Sequence, residues 1–175
     1  MILNIGCGND REGDVRLDIE PSPTTNIIAD AHNLPVRALF TKIKCYNVLE
    51  HLNSPVTALK EMRRVCEKGF IHICVPNVNE LRRILANSRN PLRPVNSKTR
   101  HLQGWDATEI KHLVREAEYL QVKSIEWIRE GKREKFSRIN GILKFILPPI
   151  FYFKYMLVIL HNIEKECPKV HIAHA

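Results

Sequence analysis

The sequence predicts an α/β fold on a mostly parallel sheet, and three observations carry that expectation. Short apolar runs alternate with stretches at helical spacing over most of the chain. Several of those runs stop at a glycine or an aspartate. No internal repeat, heptad or low-complexity tract competes with the pattern. At 175 residues, a single domain spanning 1–175 is expected.

The elements follow in order. Ile2–Ile5 is a short buried strand, Val15–Ile19 a second and Ile27–Ala29 a third, very short one; Lys42–Val48 reads as the fourth. Ser54 then caps a helix with Pro55 in its first turn. Val56, Leu59, Met62, Arg63 and Cys66 share one stripe of it, and Gly69 ends it. Phe70–Val75 is the clearest buried strand. Val78–Ala86 is expected as a helix and Ser88–Gln103 as a polar loop containing proline. Asp106 or Thr108 opens a helix to about Tyr119, with Ile110, Leu113, Val114 and Ala117 inward. Val122–Ile128 alternates like a half-buried strand. After Gly131 a basic stretch runs to Arg138, then Ile142–Leu160 is apolar but broken by Pro148 and Pro149. Lys169–Ala173 is expected as a last edge strand.

Composition narrows the class. With 44% hydrophobic and 26% charged residues, the chain can bury a core and is not a disordered tail. The net charge of +8 is uneven: 9 basic and 10 acidic residues precede Leu81, and 18 basic and 9 acidic follow. A basic back half fits a scaffold facing an anionic partner or a membrane surface and excludes uniform histone-like basicity. Cys7, Cys45, Cys66, Cys74 and Cys167 form no CxxC pair and no metal-ligand spacing. They read as reduced thiols of a cytoplasmic protein, and no bound metal is expected. No charged segment precedes the first apolar run, so no secretory leader is expected.

The chemistry-bearing residues fall at strand ends. The first strand runs into Gly6-Cys7-Gly8, where glycines allow a ligand close to the backbone at the carboxyl end of an open sheet. Taken alone, a plain glycine turn explains the pair equally well. Asp18 closes the second strand, where an acid can accept both hydroxyls of a ribose. Asp30 closes the third, followed by Ala31 and Leu34-Pro35; a carboxylate there can accept from an adenine amino group. Asn47-Val48-Leu49-Glu50-His51-Leu52 ends the fourth. Each acid singly is an ordinary turn residue as readily as a ligand. Four successive strand ends carrying such features on one rim jointly point to a site.

With these residues in place, the sequence resembles the class I S-adenosylmethionine-dependent methyltransferases, in particular their small-molecule biosynthetic group. The resemblance rests on LNIGCG, VRLDIEP, ADAHNLP, NVLEHL, LKEMRRV, FIHICVPN and HLQGWDATEIKHLV, which occur in the family's order from Ile2 to about Leu120. It implies a seven-stranded Rossmann-like sheet with an antiparallel last strand, and S-adenosylmethionine as cofactor. It also implies roles: Gly6, Cys7 and Gly8 under the methionine part, Asp18 on the ribose with Ile19 against the adenine, Asp30 and Ala31 at the adenine edge. Asn47 would lie beside the sulfonium, and Glu50-His51 would form the rim facing the acceptor.

Two departures stand out. Between Gly8 and Val15 there is room only for a turn, whereas a parallel crossover usually takes a dozen residues and a helix. Either the first helix is shortened to a loop or the pocket is more open than usual. The fourth strand opens with Thr41-Lys42-Ile43-Lys44, where the family usually has an acid, a difference that bears on local packing.

The expected reaction is methyl transfer to an oxygen or nitrogen of a small-molecule, glycan or lipid-linked acceptor. Such catalysis is mainly in-line positioning, with a base where the acceptor is a hydroxyl. His51 and His101 are the candidate bases, since imidazole titrates near neutrality; a structural hydrogen bond at a helix start accounts for His51 at least as well. Arg82, Arg83, Arg89, Arg93, Lys98 and Arg100 lie in a stretch without acids. They read as a solvated face or as an edge for an anionic acceptor. Without interleaved aromatics they make a poor nucleic-acid platform. Lys144, Lys154 and the proline pair argue against a spanning helix at Ile142–Leu160. That leaves a lid, a dimer surface or an interfacial helix with peripheral membrane contact, within an insertion at about 130–167 placed between the last two strands. Two rival functions remain: a non-catalytic S-adenosylmethionine-binding module acting as a subunit or regulator, and, third, an RNA methyltransferase.

Overall fold

The structure, a computed structural model, describes residues 1–37, 40–77, 104–128 and 155–162. Its strands are β1 (Ile2–Ile5), β2 (Val15–Asp18), β3 (Ile27–Ile28), β4 (Lys42–Tyr46), β5 (Phe70–Pro76), β6 (Leu120–Ile128) and β7 (Tyr155–Asn162), and its helices are α1 (Pro55–Val65) and α2 (Ala107–Glu116). The strands form one sheet in the order β3-β2-β1-β4-β5-β7-β6. β1 to β5 are parallel, and β7 runs antiparallel to both β5 and β6.

Side chains alternate across each strand. Leu3, Ile5, Leu17, Ile43, Cys45, Ile71, Ile73, Val75, Met156, Val158 and Leu160 are buried in one cluster with Leu59 and Met62 of α1 and Ile110 and Val114 of α2. Both described helices therefore cover the same face. α1 begins at Pro55, with Ser54 as N-cap residue, but the Ser54 hydroxyl contacts Thr57 Oγ1 (2.7 Å) and not the helix backbone. α2 begins with a full capping box between Asp106 and Glu109.

The opposite face of β1, β2 and β4 is polar. No helix covers it among the described residues, and residues 6–14 join β1 to β2 as a loop. The shortened first helix is thus reduced to none. Charge and hydrogen bonding do the work a helix would do. Lys44, only 8% exposed, donates to Asp10 Oδ2 (2.6 Å) and to Glu12 Oε2. Asn4 Nδ2 donates to Asp10 Oδ2 (3.2 Å) and to the Glu12 carbonyl (3.0 Å). The lysine at this departure from the family pattern is the anchor of the shortened loop. Its hydrogen bond holds the Asp10 carboxyl below the usual carboxylate range. Arg16 likewise donates to the carbonyls of Thr24 (2.6 Å) and Gly13 (2.9 Å), tying down the loops on both sides of β2.

β7 corrects the sequence reading. Tyr155–Asn162 lies inside the stretch expected as an insertion, and its first six residues inside the expected apolar lid or interfacial segment, yet it is a central strand. Met156, Val158 and Leu160 are fully buried while Tyr155, Leu157 and Ile159 are half-buried. A strand with apolar residues on both faces shows no hydrophobic alternation, so its period of two is hidden. Any insertion between β6 and β7 is confined to 129–154. That segment, the expected helix Val78–Ala86, the basic run from Arg82 to Arg100, His101 and the expected edge strand Lys169–Ala173 lie outside the described residues. No helix among the described residues is long and apolar enough to cross a membrane.

Candidate functional site

The chain leaves β1 toward β2 and β3 on one side and returns to β4 on the other, so the strand order reverses between β1 and β4. In open α/β sheets ligands bind at the carboxyl ends of the strands beside such a reversal, so the loops after β1 and β4 are where a crevice for a ligand is expected.

The first wall is the loop after β1. Gly6 (φ +67°) and Gly8 (φ +50°) both take the left-handed conformation. The Gly6 and Cys7 N–H groups donate to the Leu17 carbonyl at 2.8 and 3.1 Å. A Cβ on Gly6 would stand 2.1 Å from Val48 Cγ2, so the loops after β1 and β4 touch at a point only glycine permits. A Cβ on Gly8 would meet nothing within 4 Å. That glycine faces open space, with a backbone conformation that leaves room for a ligand. Cys7 is 3% exposed, its thiol 3.6 Å from Thr25 Oγ1, so only its backbone is available to a ligand.

Asp18 meets this wall directly. Its Oδ2 accepts from Gly8 N–H at 2.7 Å and its Oδ1 from Glu20 N–H at 3.1 Å. Ile19 beside it is 69% exposed, an apolar side chain on the rim with no core to fill. Ser22 and Thr24 hydroxyls both donate to the Gly8 carbonyl at 2.6 Å, clamping the glycine from the loop after β2. Neither hydroxyl stands out in the sequence, because a Ser/Thr-Pro loop is read first as a turn.

The loop after β3 carries Asp30 and Ala31. Asp30 Oδ1 accepts from the His32 backbone N–H (2.9 Å) and lies 2.6 Å from His32 Nδ1, and these contacts hold its carboxyl below the usual range. Ala31 is buried. Leu34 is buried too, and its backbone is clamped to α1: Glu61 accepts from Leu34 N–H (2.8 Å), and Arg64, paired with Glu61, donates to the Leu34 carbonyl (2.8 Å).

The second wall begins at Asn47, exposed and left-handed at φ 56°, its N–H bonded to the Cys74 carbonyl (2.8 Å). A single 3-10 turn, Leu49–His51, follows. It separates the two residues expected on the acceptor rim. His51 is exposed, whereas Glu50 is 1% exposed and points away from solvent. The Glu50 carboxylate lies close enough to Cys45 and Cys74 that, after burial itself, its charge helps push both thiols up, Cys74 to about 11. These cysteines are inert core residues. Asn77, fully buried just beyond β5 and bridged to Trp105, is a strand-end residue the sequence does not single out.

Gly6, Gly8, Asp18, Asp30 and Asn47 thus stand at the carboxyl ends of four adjacent strands, with direct contacts linking β1 to β2 and β1 to β4. His51 joins them on the β4 side. Among the described residues no cluster of His, Cys, Asp and Glu could hold a metal ion.

A family described as a methyltransferase domain matches residues 13–74. No curated protein matches the chain. A methyltransferase dependent on S-adenosylmethionine from Thermotoga maritima superposes with a TM-score of 0.62 at 16% identity, covering 93% of this chain and 82% of its own. The 1,6-didemethyltoxoflavin-N1-methyltransferase of Burkholderia thailandensis, solved with its substrate and S-adenosylhomocysteine, gives 0.61 at 13% identity, covering 93% and 71%. The [4+2]-cyclase SpnF gives 0.56 at 13% identity, covering 94% and 75%. At these identities the likeness to solved structures is one of fold.

Proposed function

We infer that this chain, whose residues 13–74 match a methyltransferase domain, is a class I S-adenosylmethionine-dependent methyltransferase whose β1/β4 crevice binds the cofactor and presents its methyl group to an oxygen or nitrogen of a small-molecule, glycan or lipid-linked acceptor. The observation that carries this is the joined rim: Gly6 against Val48, Gly8 N–H on Asp18, and open space beside Gly8. The residues fit the group. The Gly6–Gly8 backbone offers a close approach for the methionine moiety. Asp18, fixed by two backbone donors, retains lone pairs for ribose hydroxyls, because a carboxylate accepts about four hydrogen bonds. Ile19 offers an apolar surface to adenine, Asp30 and Ala31 its edge, and Asn47 the sulfonium side.

The cofactor, when bound, supplies an already activated methyl group, so this chain's residues position more than they transform. His51 on the exposed turn is the proposed base for a hydroxyl acceptor, with His101 as the second candidate. A basic run between Arg82 and Arg100 is the proposed edge for an anionic acceptor. The chain works as one domain, in the cytoplasm, with peripheral membrane contact where the acceptor is lipid-linked.

Calorimetric titration with S-adenosylmethionine tests the binding half. Asp18→Ala is expected to weaken affinity by about 1.5–3 kcal/mol through loss of charge-assisted hydrogen bonds. Unchanged affinity would place the ribose elsewhere. A [4+2]-cyclase on the same fold means that the fold alone does not fix the activity, so the second reading is a non-catalytic S-adenosylmethionine-binding module acting as a subunit or regulator. Tight binding with no turnover across hydroxyl, amine and lipid-linked acceptors would select it.

A further inference from the structure

The loop after β3 holds an imidazole that the proposed function does not use. His32 Nδ1 lies 2.6 Å from Asp30 Oδ1, and Nε2 accepts from the Ser54 backbone N–H at 3.3 Å. With Nε2 an acceptor, the neutral ring carries its proton on Nδ1 and donates it to Asp30. The His32 backbone N–H donates to the same oxygen at 2.9 Å. One carboxylate oxygen is therefore occupied twice, while Oδ2 receives no hydrogen bond among the described residues. The imidazole is 23% exposed and the carboxylate 52%, so the ring is the supported partner and the acid the open one. Ser54 is the N-cap residue of α1, so the ring ties the end of β3 to the helix that follows the β4 wall.

We infer that His32 is a positioning residue that sets the site's preference for an adenine base: it saturates Oδ1 of Asp30 and leaves Oδ2 as a fixed, anionic acceptor for the 6-amino group. This rests on the reading of the crevice as the cofactor site. An anion held below its usual titration range can accept and cannot donate. Asp30 therefore rewards a purine bearing an amino donor, provided the carboxylate does not rotate. Two donors from one neighbouring residue, one of them on a ring anchored at its far side, prevent that rotation.

The test is calorimetric titration of the full chain with S-adenosylhomocysteine and with its 6-deamino analogue. The native protein is expected to prefer the adenine ligand by about tenfold or more, the worth of one hydrogen bond to a charged group. In His32→Ala that ratio should fall toward one, chiefly through weaker binding of the adenine ligand. In His32→Asn, whose carboxamide can donate from the Nδ1 position, most of the ratio should survive. A merely structural role would weaken both ligands alike, and that result, or an unchanged ratio in His32→Ala, overturns the inference. Equal affinities in the native protein overturn it too while leaving the cofactor site intact. Binding of neither ligand removes the site and the inference together. If circular dichroism shows that His32→Ala does not fold, the folded Asn variant decides, and a ratio near one in it is fatal.

Discussion

On the β4–β5 side of the sheet, a helix leads the chain from β4 to β5, and α1 and α2 press apolar stripes onto buried strands. On the β1–β3 side, the chain passes from β1 to β2 and from β2 to β3 through loops of eight or nine residues without a helix. Those loops are fastened by Lys44, Arg16, Asn4, Ser22 and Thr24. Both sides share the buried apolar face through Leu3, Ile5 and Leu17, but the connections differ: one is held by removing hydrocarbon from water, the others by directional contacts between polar groups. The second side carries most of the proposed cofactor contacts. Polar fastening fixes backbone N–H and C=O groups at set positions without filling the space above them, which suits a crevice that must stay open to a ligand.

Three substitutions probe this contrast. Leu59→Ala removes a fully buried side chain of α1 and is expected to cost about 2–5 kcal/mol in urea unfolding. The affinity of the folded protein for S-adenosylmethionine should not change; a parallel loss of affinity would show that the two sides are not separable. Gly6→Ala is expected to cost less, about 1–3 kcal/mol, from a left-handed alanine forced against Val48. Here the cofactor affinity should fall, because the loops after β1 and β4 have to part. A folded Gly6→Ala protein with native affinity would disconnect that contact from the site.

Lys44→Met should have the smallest effect on stability, about 1 kcal/mol, since its two carboxylate partners are half exposed. The effect should depend on pH in a definite sense. Asp10 is depressed in the folded protein by its hydrogen bond from Lys44, so its contribution is complete above the ordinary value of 3.8 and disappears as the pH falls below it. Lys44 is raised: desolvation opposes the charge, but its bonds to Asp10 and Glu12 outweigh that, so its contribution is complete below 10.5 and is lost above. Thermal melts of native and Lys44→Met proteins should therefore differ by a constant amount at neutral pH and converge in strong acid. Curves that stay parallel at pH 3 would show that Lys44 acts by packing alone.

The parts of this molecule legible in the sequence are those encoded locally. Glycines and acids at the ends of β1, β2 and β3, the Pro55 helix start and the helix opening at Asp106 or Thr108 are each encoded within a few residues. What escaped detection is encoded at a distance. The Lys44 anchor joins residues more than thirty positions apart, and in sequence the lysine registers only as a departure from a family pattern. Glu50 reads as a rim residue because it adjoins His51; one 3-10 turn sends the two to opposite environments. β7 escapes because burial on both faces erases the alternation that marks a strand.

β7 also sets a schedule for synthesis. It is the last described strand to leave the ribosome, yet it is inserted between β5 and β6, so β6 has no neighbour in the sheet until it arrives. The carboxamide of Asn162 at its end donates to the carbonyls of Arg63 (3.4 Å), Cys66 (3.1 Å) and Glu67 (2.8 Å), fastening the end of α1 across nearly a hundred residues of chain. A nascent chain that has emerged only through β6 presents β5 as an unpaired edge with its apolar face half built, the kind of surface that recruits other chains. Joining of β6 to the rest of the sheet thus waits on translation of residues 155–162, and until then the free edge of β5 is open to strand addition.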